Sequence, residues 1–375
     1  MELFEVYPLY DIIPESAKGS YITDNQGVSY LDLYGGHAVI SIGHSHPHYK
    51  KLLKEQLDKI GFYSNSVINP LQEKLALKLQ SMSDCKDYKL FLCSTGAEAN
   101  ENALKLASFY TGKTKVIAFR NSFHGRTSAA VAVTDNEAIQ APINKIQPVD
   151  FLDLNDTERF LKAIEDTEVC AVILEAVQGV GGLDQPTTEF YTLVSKKCKE
   201  KDIVLIADEV QCGFGRTGKF FGFQHHGISP DLITMAKGMG NGFPVGGVLI
   251  HDKFDSRYGM LGTTFGGNHL ACAAAISVLE VIEQEKLMKN AVEMEKVFKS
   301  MAADIPGVKK VKGRGLMLGL EFEFEVAKLR EKLIYQYRIF TGSSKNKNVL
   351  RILPALTIGK KEIERLFTAL KAELL

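Results

Sequence analysis

Two short apolar segments each end in a side chain suited to covalent or proton-transfer chemistry. Asp231-Leu-Ile-Thr-Met-Ala runs into Lys237, which is followed by Gly238-Met-Gly-Asn-Gly242. A lysine leaving a buried strand is an unusual place for a solvated charge. Desolvation lowers the pKa of such an amine, and a neutral amine can form an imine with an aldehyde cofactor. Ile203-Val-Leu-Ile-Ala ends in Asp208 and Glu209, at the strand edge where open α/β sheets bind ligands. A carboxylate there could hold a protonated pyridine nitrogen and make the ring an electron sink. A helix cap or a metal ligand is the competing reading, and metal is disfavoured because no histidine pair accompanies the acids at ligand spacing.

Three further segments could complete such a site. Ser94-Thr-Gly-Ala-Glu-Ala-Asn-Glu101 is a small-residue turn opening a helix, where backbone N–H groups can hold a phosphate. Simple N-capping by Ser94 or Thr95 would use the same residues. Asn121-Ser-Phe-His-Gly-Arg-Thr127 offers a ring to stack (Phe123), an imidazole, and a guanidinium for a carboxylate (Arg126), although taken alone the segment reads first as a solvated loop. Gly262-Thr-Thr-Phe-Gly-Gly-Asn268 supplies hydroxyls and N–H donors for a second phosphate contact, or forms a plain turn.

The elements that must position these residues follow from patterning. Ser20–Thr23 and Val28–Leu33 alternate around the turn Asp24-Asn-Gln-Gly27 and predict a hairpin. Pro47 and Pro70 each begin a helix. Wholly apolar runs at Leu90–Cys93, Val116–Phe119, Ala171–Leu174, Ile203–Ala207, Leu232–Met235 and Val245–Ile250 predict buried strands of a largely parallel sheet. A long helical stretch around residues 268–303 precedes three short strands and a final helix from about 360. At 375 residues the chain exceeds the usual single core. The expected domains are a large central unit at 46–280, with 1–45 and 281–375 joining into a smaller one.

Composition excludes several classes. The charge is balanced at 45 basic and 45 acidic residues, which argues against nucleic acid or a membrane as partner. Six scattered cysteines form neither a C-x-x-C motif nor a disulfide framework. No signal segment or membrane-length apolar run appears, so the cytoplasm is the expected location. His44, His46 and His48 alternate, but alternate residues on an extended segment need further converging ligands to hold a metal, and none is expected.

Taken in order, the phosphate turn, aromatic plate, strand-end Asp, strand-end Lys and Thr-rich loop resemble one family. The resemblance is to class III aminotransferases, nearest to the acylornithine branch, and it runs from Tyr30-Leu-Asp-Leu-Tyr-Gly-Gly36 to Leu350-Arg-Ile-Leu-Pro354. Ala207-Asp-Glu-Val-Gln-Cys-Gly-Phe-Gly-Arg-Thr-Gly218 is its most specific signature. The resemblance implies an α/β fold of the aspartate-aminotransferase type (fold type I): a large domain with a mostly parallel sheet, plus a smaller α+β domain from both termini. It implies pyridoxal 5′-phosphate (PLP) as cofactor, an amino donor and 2-oxoglutarate as substrates, and a homodimer.

The implied roles are specific. Gly96 and Ala97 would bind the phosphate, Phe123 and Val210 would cover the two ring faces, and Asp208 would hold the pyridinium. Glu209, Gln211 and Gln178 would lie near the ring. Lys237 would form the imine and shuttle the proton. Thr264 would reach the neighbouring subunit's phosphate. Arg126 and Thr263 would bind the donor carboxylate, Arg351 the α-carboxylate of 2-oxoglutarate, and Glu175 would contact substrate.

Two positions depart from that family. Val180, in Glu175-Ala-Val-Gln-Gly-Val-Gly-Gly182, stands where the family pattern has a glutamate able to pair with the arginine at 351. His37 stands where many relatives have an apolar residue.

Overall fold

The structure, a computed structural model, describes residue 1 and residues 3–375. Strands β1 (Pro14–Lys18), β2 (Tyr21–Asp24) and β3 (Ser29–Asp32) open the fold, and β2 pairs antiparallel with β3 as the hairpin pattern requires. Asp24 closes the turn, its Oδ1 accepting from the Gln26 and Val28 amides at 3.0 and 2.8 Å. Helices Pro47–Leu57 and Pro70–Ser83 both begin at proline, whose missing N–H costs nothing in a first turn.

The centre is a seven-stranded sheet: β4 (Tyr88–Cys93), β5 (Lys115–Phe119), β6 (Val149–Leu152), β7 (Val169–Glu175), β8 (Val204–Asp208), β9 (Leu232–Met235) and β10 (Gly246–His251), in the order β4-β10-β9-β8-β7-β5-β6. Every residue of β7 and β8 is buried. Alternate residues enter two separate apolar clusters: Val172, Leu174, Leu205 and Ala207 join one, while Ala171, Ile173, Val204 and Ile206 join the other. Both faces of the sheet are therefore covered, which is why these strands read as continuous apolar runs rather than alternating ones. The sheet is parallel from β6 through β9, and β10 is antiparallel to both its neighbours.

The expected helical stretch after residue 268 is two helices, His269–Gln284 and Leu287–Ala302, separated where Lys286 adopts a left-handed φ of 53°. Strands β11 (Val308–Arg314), β12 (Met317–Phe322), β13 (Ile339–Phe340) and β14 (Val349–Ile352) follow, and helix Lys360–Leu374 ends the chain. β11, β12 and β14 form one sheet, whereas β13 pairs in parallel with β3. The two ends of the chain thus share a four-stranded sheet.

Arg216 ties these segments together. It is buried, and its guanidinium donates to the carbonyls of Ile40, Leu316 and Pro354. Burial pulls it down to about 10.

Candidate active site

Register brings the acids to one edge. β7 and β8 run parallel with Glu175 opposite Asp208, and β8 and β9 place Asp208 opposite Thr234, three residues before Lys237. Lys237 leaves β9 with a left-handed φ of 45°, a conformation that a residue with a Cβ holds only when its surroundings enforce it. A cavity of about 260 Å³ lies at this edge, lined by Gly96, Ala97, Asn100, Phe123, His124, Gly125, Arg126, Glu175, Asp208, Val210, Gln211 and Lys237.

The cavity has an anion-binding end. Thr95 caps helix Gly96–Thr111 by accepting from the Glu98 amide at 3.1 Å, and Glu98 in turn accepts from the Ser94 amide at 2.9 Å. Capping therefore leaves the first two amides, of Gly96 and Ala97, directed out of the helix start. Gly96 must lack a Cβ, because one would come within 2.7 Å of Val210 Cγ1.

At the other end Asp208 is fixed by three donors. His124 Nδ1 and Asn100 Nδ2 donate to Oδ2 at 2.6 and 2.9 Å, and the Val210 amide donates to Oδ1 at 3.0 Å. Sequence reasoning placed His124 in the cluster without a task and did not single out Asn100. Its only signal was a polar residue on the inner face of an otherwise small-residue helix.

Burial lowers the Lys237 amine, with Asp208 and Glu175 opposing and the Arg351 charge adding to the shift. A less basic amine is the form that can attack a carbonyl and accept a proton.

Several expected residues are engaged elsewhere. Glu209 does not face the cavity. Its carboxylate accepts from the Gly222 and Phe223 amides at 2.7 and 2.9 Å, capping the turn that follows, and burial pushes it up to about 8. Glu175 lines the cavity, but its oxygens are taken by backbone amides: Oε1 accepts from Phe123 at 3.0 Å and Oε2 from Gly179 at 2.9 Å. Burial raises its pKa. It positions the Phe123 ring and the 179–182 turn rather than presenting a free carboxylate to substrate.

Arg126 is exposed at the cavity wall. Arg351 is buried, and its guanidinium donates to the carbonyls of Ser343 and Gly179. Gln178 turns away, donating to the Arg120 carbonyl at 2.8 Å. Thr263 and the exposed Thr264 lie outside this cavity; Thr263 lines another one with Asn65 and Gln72. His44, His46 and His48 point to three different carboxylates, of Asp32, Glu285 and Glu280. Among the described residues no cluster of three or more His, Cys, Asp or Glu could hold a metal.

The cavity fits a phosphorylated pyridine aldehyde. It has free helix-start amides at one end, a triply held carboxylate at the other, an amine of lowered basicity, and a buried Gln211 Oε1 still without a donor.

Residues 5–374 match the family Aminotransferase class-III. The acetylornithine aminotransferase of Bacillus subtilis is 42% identical over 98% of this chain and 96% of its own length. That of Methanocaldococcus jannaschii is 36% identical over 98% and 94%. Among solved structures, the ornithine aminotransferase of Toxoplasma gondii, crystallised with partial occupancy of PLP at its active site, superposes with a TM-score of 0.90 at 26% identity, covering 98% of this chain and 91% of that one. The chain belongs to the class-III aminotransferases, fold type I enzymes that move amino groups with PLP.

Proposed function

We propose that this protein transfers the terminal amino group of an N-acylated ornithine to 2-oxoglutarate, giving the acylated glutamate semialdehyde and glutamate in arginine biosynthesis. The observation that carries the reading is a pair of separated cations around one amine. Arg126 stands exposed at the wall, while Arg351 is buried with its guanidinium on the Ser343 and Gly179 carbonyls, near enough for its charge to depress Lys237. The curated relatives at 42% and 36% identity are named for acetylornithine.

In the first half-reaction the donor gives up its amine, and in the second 2-oxoglutarate receives it. Bound PLP supplies the electron sink for the carbon that loses its proton. Asp208, held by His124 and Asn100, would keep the pyridine nitrogen protonated. Gly96 and Ala97 would hold the phosphate, and Phe123 and Val210 would flank the ring. Lys237 Nζ, made less basic by burial, would move the proton from the amine-bearing carbon of the donor to the cofactor carbon that receives the amine, and in the second half-reaction would move a proton in the opposite sense, onto the α-carbon of 2-oxoglutarate. Arg126 orients the donor carboxylate, Thr263, which lies outside its own cavity, contributes only across a dimer interface, and Arg351 receives the α-carboxylate of 2-oxoglutarate.

We also infer a homodimer in which Thr264 serves the partner's phosphate site. Thr264 is exposed and outside its own cavity, and beside it the exposed Phe265 packs on the exposed Phe62 with ring centroids 5.5 Å apart. Residues 46–280 would carry the cofactor, with 1–45 and 281–375 forming the smaller domain. No helix among the described residues is long and apolar enough to cross a membrane, and the six cysteines are free thiols, which suits a reducing cytoplasm.

The deciding experiment is a single-turnover donor panel of acetylornithine, succinylornithine, ornithine and 4-aminobutyrate with the holoenzyme. An acylated ornithine should react fastest. Faster reaction of free ornithine or 4-aminobutyrate would replace this reading.

A further inference from the structure

Arg351 poses a physical problem that this chain solves in its own way. A buried guanidinium normally has a carboxylate beside it, yet at position 180, where the resembling family carries one, stands Val180. Burial lowers the Arg351 pKa, the Arg330 charge adds to that shift, and Tyr34 and Glu175 are among the groups that oppose it. The Tyr34 ring lies 5.8 Å from the guanidinium carbon. It is packed on Gly342, the residue paired with Arg351 across the neighbouring backbone, where a Cβ would come within 2.6 Å of the ring. The Tyr34 hydroxyl in turn is hydrogen-bonded to His37 Nδ1, with ring centroids 4.7 Å apart.

The backbone is shaped for this contact. Gly35, Gly36, His37 and Ala38 have φ of 56, 54, 67 and 62°, one turn of left-handed helix that includes two residues with side chains. Such conformations persist only where the surroundings enforce them. Asp32 enforces this one, its Oδ1 accepting from the Tyr34 and Gly35 amides at 2.9 and 2.8 Å while His44 holds Oδ2 at 2.8 Å. The turn brings His37 back over Tyr34.

We propose that Tyr34 and His37 act as one uncharged partner for Arg351, standing in for the acidic side chain absent at Val180, so that the guanidinium stays open to substrate carboxylates in both half-reactions. The proposal rests on the reading that Arg351 receives the α-carboxylate of 2-oxoglutarate. A guanidinium only donates, so the phenol whose ring face lies under it can offer π electrons and lone pairs but must send its own proton elsewhere. His37 Nδ1 is the acceptor for that proton. The His37 imidazole, lowered by burial and by the Arg351 and Lys237 charges, is neutral and able to accept. A neutral phenol is displaced by an arriving carboxylate more readily than a glutamate would be.

The test is a cycle on the holoenzyme, reading the 2-oxoglutarate KM and kcat for the parent, Tyr34→Phe, Val180→Glu and the double variant. Val180→Glu should raise KM by about tenfold or more with kcat little changed, as a competitor for Arg351 would. In the Tyr34→Phe background the new glutamate meets no rival, so the increase should be larger by a further factor of about three or more. His37→Gln, whose amide oxygen can accept the phenol proton, should behave as the parent, and His37→Ile should approach Tyr34→Phe. Factors that multiply independently would overturn the pairing. Arg351→Lys separates the two layers: a raised KM with independent factors removes the Tyr34–His37 role alone, whereas an unchanged KM removes the carboxylate-binding reading and this inference with it.

Discussion

His124 Nδ1 lies 2.6 Å from Asp208 Oδ2, with side chains 0% and 3% exposed. A carboxylate only accepts, so the imidazole carries its proton on Nδ1 and holds the carboxylate in place. Asn100 Nδ2, 2.9 Å from the same oxygen, fixes the plane of the carboxylate.

Asp208→Asn sets an amide N–H against at least one of these donors, because they approach both carboxylate oxygens and the amide has only one. The single-turnover rate with the amino donor should fall by more than about tenfold while the fold persists. A rate within about threefold of the parent would remove Asp208 from its role.

His124→Phe keeps the ring volume and removes the donor. We expect a smaller loss, about threefold to tenfold in the same rate, with a shifted absorbance of bound PLP reporting the altered ring nitrogen. An unchanged spectrum and rate would show that Asn100 and Val210 suffice.

Glu209 gives a pH dependence of stability. Its folded pKa, raised to about 8 chiefly by burial, lies above the ordinary carboxyl range, so the folded protein holds this proton more tightly than the unfolded chain. The contribution is complete below the unfolded pKa and is lost as pH rises through the folded value. Tm should fall between about pH 5 and about pH 9, and Glu209→Gln, which cannot ionise, should flatten that fall. An equal slope in the variant would contradict the assignment.

Arg216 sits in the family signature yet lies outside the cavity, on three carbonyls from Ile40, Leu316 and Pro354. Arg216→Met leaves these acceptors unpaired. Each lost bond to a charged group is worth about 1.5–3 kcal/mol, so unfolding should shift by several degrees with Lys237 chemistry otherwise intact. Differential scanning calorimetry of the holoenzyme measures it.

What could be read from the sequence tracks how local each cause is. Asp208 and Lys237 were legible because each ends an apolar run, and the strands because both sheet faces are buried. β6 was missed: Val149-Asp-Phe-Leu152 is a half-exposed edge strand with no continuous apolar run. The break at Lys286 was missed because neither Gly nor Pro marks it. Glu209 was misplaced because adjacent residues on a strand end point to opposite sides, and the Gly222 and Phe223 amides that claim it lie well downstream. The partners of Asp208 come from a helix start and a loop that only the folded sheet brings together.

The central claim is that Lys237 is the residue that reacts with the cofactor aldehyde. Borohydride reduction of the holoenzyme followed by peptide mass mapping should find the reduced cofactor on Lys237, and Lys237→Ala should lose both that adduct and nearly all transamination. Cofactor fixed to another lysine, or near-parental turnover of Lys237→Ala, would contradict the account.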